Sequence, residues 1–343
     1  MTTAAVSNLP ISSAVDYDTV AMNSTTQTAA GGNYAPWLMP VILGIVILVG
    51  VVGNVLVIYV IARAGQRTVT NYYIVNLAIA DILFLLLYAP TEAGNFASTR
   101  GYLFGGFMCK TASYMQCVTV QVTCLTLVAI SVERYLAISR PLKSLKAWSL
   151  QKPAIITGII WLFGHLLYIP YLIYVNLEYI EYQGIVNPYC RGDFPSRLAT
   201  TYRLFVFLFP FALPLLAIVI CYGVVIRRFI CAPNAVNSKR NLRQKRKITW
   251  MVLTVVLAFF ICWFPFQVYT MWASFDSDFP YTHHTFNFRV ASLVMIYANS
   301  CVNPFIYAFL GENFRKSFRK AIPCSGSAVE RRRNEPRSRT TQV

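Results

Sequence analysis

Between Thr111 and Val132 the chain carries no formal charge, a run long enough for a helix to cross a hydrocarbon core ~30 Å thick, which takes about 20 residues. It is not a plain lipid-facing helix. Gln116, Thr119, Thr123 and Thr126 recur every three or four residues, so one helical face is polar while the rest is Val, Leu, Ile, Cys and Ala. That face must point into protein, which predicts a bundle built around this span. The stripe ends in Glu133-Arg134-Tyr135, a charged step where apolar solvent gives way to water, and Cys109 and Lys110 mark the opposite end.

The rest of the chain supplies the partners. Of 343 residues, 56% are hydrophobic and only 13% charged, with a mean hydropathy of +0.52, too apolar for a soluble domain of this size. Seven spans are predicted, at about Trp37–Ala62, Asn71–Gly94, Phe107–Ser139, Pro153–Val175, Thr200–Ile226, Ile248–Ser274 and Phe286–Leu310. The expected fold is therefore an all-α membrane protein, a seven-transmembrane helix bundle over residues 36–310. Residues 1–35 and 323–343 read as disordered tails. Between bundle and tail, at 311–322, Phe314 and Phe318 lie four apart among Arg315, Lys316, Arg319 and Lys320, so this stretch reads as an amphipathic helix on the membrane surface.

Seven spans put the two ends of the chain on opposite sides. The segments on the Arg134 side hold 24 of the 30 Lys and Arg residues, so the positive-inside rule places the N-terminus outside and the C-terminus in the cytoplasm. The acids run the other way, 8 of 13 outside and 4 inside, with Asp81 left within a span. The net charge of +17 is thus a coat facing anionic lipid and a protein partner, and nucleic acid is excluded as its target.

Polar residues inside the spans need partners or a task. Asn54 reads as interhelical glue. Asp81 sits near the middle of the second span, where a carboxylate costs about 2.5–3.5 kcal/mol, so it must face the interior. Pro90 bends that helix and leaves Glu92 at the rim of the interior. Cys109 and Cys190 are the only cysteines on the outer, oxidising side and are expected to pair. Asn23-Ser24-Thr25, the only sequon in the chain, is either a glycosylation site or a chance match. Cys324 beside a basic cluster is either palmitoylated or an ordinary exposed thiol.

Gly53-Asn54, the run Asn76 to Asp81, Cys109, Glu133-Arg134-Tyr135, Trp161, Pro214, Cys262-Trp263-Phe264-Pro265 and Asn303-Pro304-Phe305-Ile306-Tyr307 occur in the order found in class A, rhodopsin-like G-protein-coupled receptors. Any one is weak; the ordered set is specific, and the chain resembles that family over about residues 36–325. Its single departure is Glu133, where many members carry Asp. Shorter strings, Arg67 to Tyr73, Phe107 to Lys110 and Phe194 to Arg197, resemble the kisspeptin receptors, with galanin and allatostatin-A receptors as relatives.

The resemblance implies roles. Asp81, Asn299 and Asn303 would surround an allosteric sodium ion, or else form a hydrogen-bonded knot without one. Trp263 beside Pro265 would be the packing element that moves when ligand enters. Glu133, Arg134 and Tyr135 would couple to a heterotrimeric G protein, with Tyr222 and Tyr307 holding the open form. Arrestin and receptor kinases are implied as partners, at the plasma membrane. Thr341-Gln342-Val343 fits the carboxyl terminus read by PDZ domains, or is a three-residue coincidence.

Aminergic members of the family use an Asp on the outer half of the third span, where this chain has Gln116, which disfavours a small cationic amine. Glu92, Gln116, Arg203, Gln267, Tyr269, Arg289 and Tyr297 are the expected lining. The lining suits a secreted peptide ending in Arg-aromatic-amide, as the kisspeptin resemblance also implies, with phospholipase-C coupling; galanin-like relatives favour inhibition of adenylyl cyclase. A transporter or channel would need several intramembrane charges, and Asp81 alone does not supply them. An enzyme would need a nucleophile, base or metal set; the three histidines, His165 in the fourth span and the adjacent His283 and His284, supply none, so no catalytic residues and no metal beyond sodium are expected.

Overall fold

The computed structural model describes residues 35–65, 68–139, 151–182, 184–231, 239–276, 278–280, 282–311, 314, 315 and 318. The sequence expectations at Asn23, Cys324, Thr341–Val343, both tails and most of the surface helix lie outside the described residues.

Seven helical spans are present, in order Pro36–Arg63, Val69–Ala97, Gly105–Ser139, Gln151–Tyr174, Thr201–Ile230, Lys245–Phe275 and His283–Leu310. The apolar stretches of the second and third spans are each 61% buried, those of the first and fourth only 22%. Burial thus follows the polar stripe: the third span is an interior post, and Gln116, Thr119, Thr123 and Thr126 are all buried. Thr119 and Thr126 satisfy their hydroxyls within the helix, donating to the carbonyls of Met115 at 2.8 Å and Val122 at 2.6 Å.

Three spans are broken where proline removes a backbone donor. In the second, helix stops at Leu87 and resumes at Ala89–Ala97, with Tyr88 between them and Pro90 in the first turn. The fourth breaks at Tyr168, just before Pro170. In the fifth, residues Leu208–Ala212 form a widened π turn in which the Leu213 amide reaches back five residues to the Leu208 carbonyl. Pro214 lacks the N–H that would bond Pro210 in a regular helix, so the turn opens there. Thr282 caps the seventh span, its hydroxyl accepting the Thr285 amide at 3.4 Å while the Thr285 hydroxyl accepts the Thr282 amide at 2.9 Å.

The segment between the fourth and fifth spans, which carries Glu178 and Glu181, is an antiparallel hairpin of β1 (Val175–Tyr182) and β2 (Ile185–Gly192), with Leu177 opposite Cys190. Cys190 is joined to Cys109 by the expected disulfide, which ties β2 to the head of the third span. Lys110, next to that bond, donates from Nζ to the Leu172 carbonyl at 3.0 Å, near the end of the fourth span. A second anchor comes from the loop after the second span, where the Tyr102 amide donates to the Pro188 carbonyl at 2.7 Å. Gly101 makes this approach possible: its φ is +77°, and a Cβ there would lie 2.2 Å from the Pro188 oxygen.

Gly101→Ala is therefore expected to destabilise the hairpin anchor by about 1–3 kcal/mol. Gly106, whose added Cβ would meet only Leu177 at 3.9 Å, should tolerate Ala with little change. Thermal unfolding midpoints of the two purified variants test this; equal midpoints would show that the Pro188 contact carries no stability.

Candidate functional site

Three polar layers lie along the inside of the bundle. The deepest centres on Asp81, which is buried between the second and seventh spans. Its carboxylate accepts hydrogen bonds from Ser300 Oγ at 2.8 Å and Asn303 Nδ2 at 2.9 Å. Of the expected trio of Asp81, Asn299 and Asn303, Asp81 and Asn303 are bonded directly. Ser300, three residues before Asn303 and on the same helical face, donates to the carboxylate, whereas the amide oxygen of Asn299 is buried without a partner. The spacing of Ser300 and Asn303 was the signal available in the sequence. The first span joins the layer through Asn54, which donates to the Ser300 carbonyl at 2.8 Å and the Gly50 carbonyl at 2.9 Å. A parallel set links the second span to two more: Trp161 Nε1 donates to Asn76 Oδ1, and Asn76 Nδ2 donates to Thr126 Oγ1, both at 2.8 Å.

Toward the Ser139 end lies the charged layer. Arg134 and Glu133 are both buried and paired side by side, with Arg134 Nε donating to Glu133 Oε2 at 2.6 Å and Nη2 reaching Glu133 Oε1. Thr70, in the first turn of the second span, completes the arrangement: its hydroxyl accepts from Arg134 Nη2 at 2.8 Å and donates to Glu133 Oε2 at 3.3 Å. Thr70 was not legible in the sequence, because only the packing of two helices brings it there. Tyr222 and Tyr307 are buried, and Tyr135 is half-buried. The sixth span carries no acidic residue, so it offers Arg134 no carboxylate. It reaches the third span by a different route, Lys245 Nζ donating to the Ala137 carbonyl at 3.1 Å.

Above Asp81, on the disulfide side, the bundle holds a small cavity of about 30 Å³ walled by Gln116 and Val120 of the third span, Tyr168 of the fourth, Val206 and Pro210 of the fifth, and Trp263, Phe266 and Gln267 of the sixth. The opened turn of the fifth span supplies Pro210, and Pro265 lies within the sixth. No wall residue is charged. Trp263 Nε1 and Gln267 Oε1 are nevertheless buried with no hydrogen-bond partner. Such polar atoms cost roughly 1–3 kcal/mol each until something satisfies them. Trp263 stacks on Phe259 at 5.7 Å and leans on Phe84 at 6.3 Å.

The other expected lining residues are distributed around this cavity. Tyr297 is fully buried in an aromatic stack, 5.3 Å from Phe84 and 5.9 Å from Tyr88 between ring centroids, so it is a packing residue of the core and not an open wall. Tyr269 packs edge-on against Phe279 at 5.6 Å. Arg203 Nη1 donates to the Ser274 carbonyl at 2.9 Å, tying the fifth span to the end of the sixth. Glu92, only 2% exposed, faces Arg289 of the seventh span at 3.7 Å, one of the partners its position allowed. Among the described residues no group of three or more His, Cys, Asp or Glu side chains is placed to hold a metal ion.

Comparison with known proteins agrees with this architecture. Residues 53–307 match the seven-transmembrane receptor (rhodopsin family) model. The chain is 38% identical over 299 residues to G-protein coupled receptor 54 of Oreochromis niloticus, covering 84% of this chain and 78% of that one. It is 36% identical over 305 residues to the human KiSS-1 receptor, covering 84% and 75%. Human galanin receptor type 2 is 34% identical over 307 residues, covering 88% and 77%. With its ordered motifs, its seven spans and these matches over most of its length, the chain belongs to the rhodopsin family of seven-transmembrane receptors.

Proposed function

We propose that this protein is a plasma-membrane receptor for a secreted, C-terminally amidated neuropeptide of the kisspeptin type, and that it activates a phospholipase-C-coupled heterotrimeric G protein. Its N-terminus lies outside and its C-terminus in the cytoplasm, following the distribution of basic residues. The observation that carries the reading is an uncharged, mainly apolar cavity whose wall holds the amide of Gln116 beside the unsatisfied Gln267 Oε1 and Trp263 Nε1. A terminal carboxamide is neutral and offers both N–H and C=O, whereas an amine would meet no counter-charge there. Names of the relatives support the peptide class, and galanin receptors among them keep a second reading in view: a galanin-like ligand with inhibition of adenylyl cyclase.

At the rim, Glu92 is the proposed partner of a cationic residue next to the ligand's amidated end, in competition with Arg289. An ion pair 3.7 Å apart is long enough for a better-placed guanidinium to displace it. Glu92→Arg should lower the potency of an amidated Arg-containing peptide at least ten-fold and recover potency for the analogue carrying Glu at that position. Equal loss for both peptides in a G-protein activation assay removes the pairing.

Trp263 is the proposed sensor of the ligand, since it forms the cavity wall and rests on the aromatic core beneath. Outward movement of the sixth span would then open the way for the G protein to draw Arg134 from Glu133 and Thr70, with Tyr222 and Tyr307 holding the open form. Arrestins, receptor kinases and a PDZ protein at Thr341–Val343 are the remaining proposed partners. Because Lys245 ties the sixth span to the third through the Ala137 carbonyl, Lys245→Ala should raise agonist-free nucleotide exchange. A charge-assisted bond contributes about 1.5 kcal/mol, or roughly a ten-fold shift in population. Unchanged basal exchange at matched surface expression would show that Lys245 does not hold the resting form.

Asp81, with Ser300 and Asn303, is proposed to hold a sodium ion in that resting form. Asp81→Asn should abolish the dependence of agonist affinity on sodium, measured by binding in sodium against potassium or choline buffer. Retained sodium dependence assigns the layer to hydrogen bonding alone.

A further inference from the structure

The outer surface of the bundle carries a groove that the peptide cavity does not explain. It lies between the first span, the seventh span and the start of the surface helix, and its volume is about 760 Å³. That falls within the roughly 300–1,000 Å³ of sites that hold discrete small ligands. Val52, Pro304, Ala308, Phe314 and Phe318 are among its walls, and among the described residues Arg315 is the charged one that lines it. A Cβ on Gly53 would lie 3.0 Å from the Pro304 side chain, so the two spans touch there and floor the groove with protein. It is therefore a concave trough along the bilayer, closed toward the interior.

We propose that this groove is a binding site for one anionic phospholipid of the leaflet at the Arg134 end, with an acyl chain along Val52 and Ala308 and the phosphate on Arg315. Apolar side chains facing lipid are ordinary for a membrane span; a cation at the end of a deep apolar trough is not. Arg315 donates from Nη1 to the Phe309 carbonyl, which orients the guanidinium and leaves further N–H groups for phosphate oxygens. Lys316, Arg319 and Lys320 follow in sequence. Basic pockets beside spans select anionic headgroups, whereas a zwitterionic lipid brings its own ammonium and a sterol only a hydroxyl.

The test uses the full chain, purified in neutral detergent and reconstituted in discs of phosphatidylcholine and phosphatidylserine, then re-extracted, washed and analysed for bound lipid by mass spectrometry. Wild type should retain about one phosphatidylserine. Arg315→Gln should lower retention at least five-fold, Arg315→Lys should restore part of it, and Ala308→Trp, which fills the trough, should lower it again. Arg228→Gln, an exposed cation elsewhere on the same end, should leave it unchanged. Each variant is scored only on the monodisperse fraction, and Arg315→Gln, an exposed position, keeps the test decisive should Ala308→Trp fail to fold. Equal loss in Arg228→Gln, retention of a sterol in place of phosphatidylserine, or an acyl chain covalently carried on the protein with no bound phospholipid would each overturn the proposal. None of these readouts depends on the peptide or the G protein.

Discussion

Within hydrocarbon, a polar group has no water to fall back on, so each one inside this bundle must be met by another span or carry an unrelieved cost. That constraint fixes the relative placement of the helices more tightly than apolar packing can, because Leu against lipid is nearly as good as Leu against Leu. Asn54 locks the first span to the seventh, Ser300 and Asn303 lock the seventh to Asp81, and Asn76 locks the second to the third and fourth through Thr126 and Trp161. Removing one member leaves its partner buried and unpaired, which is costlier than never having had the pair. The same logic applies at Glu133, where two buried charges are tolerable because Thr70 and each other satisfy them.

Departures from regular helix sit where the cavity is made. Proline at 90, 170, 210 and 214 interrupts three spans on the disulfide side, whereas the third span runs unbroken from Gly105 to Ser139. A straight post with broken neighbours leaves room that straight neighbours would fill. Pro210 in the widened turn and Tyr168 at the fourth-span break both become walls of the cavity. The hairpin then depends on one covalent link and one backbone hydrogen bond, Cys109 to Cys190 and Tyr102 to Pro188, to stay docked on the bundle.

Much of this was readable before any coordinates. Length and apolarity located the spans, because a bilayer imposes a minimum length of apolar helix. The third span's stripe correctly marked it as interior. Asp81 and Asn303 were recognisable as residues too polar to face lipid. What could not be read was pairing across spans. Thr70 looks like any residue of a short loop's end until another helix is beside it. Tyr297 stands out in the sequence for its polar tip, and its ring packs in a stack with Phe84 and Tyr88 that the sequence does not announce. The hairpin was hidden for another reason. Glu178 and Glu181 make the segment look like solvated loop, whereas its pairing comes from backbone bonds that composition does not report.

Arg134 meets its counter-charge on its own helix, and this has a consequence for how the bundle can switch. A carboxylate on the sixth span would make release of that span and release of the guanidinium a single event. Here Glu133 travels with Arg134, so the ion pair survives a displacement of the sixth span and need break only when a partner offers a better acceptor. What links the two spans is Lys245 on a backbone carbonyl, a bond that water can replace at the bundle's edge. Opening the sixth span and freeing Arg134 are therefore separable steps with separate costs. Among the described residues the first is governed by the part-buried Lys245 bond and apolar packing, the second by a buried charge pair with a threonine clamp. Such an arrangement favours a bundle in which outward movement of the sixth span comes first and commitment of Arg134 waits for the partner that completes it.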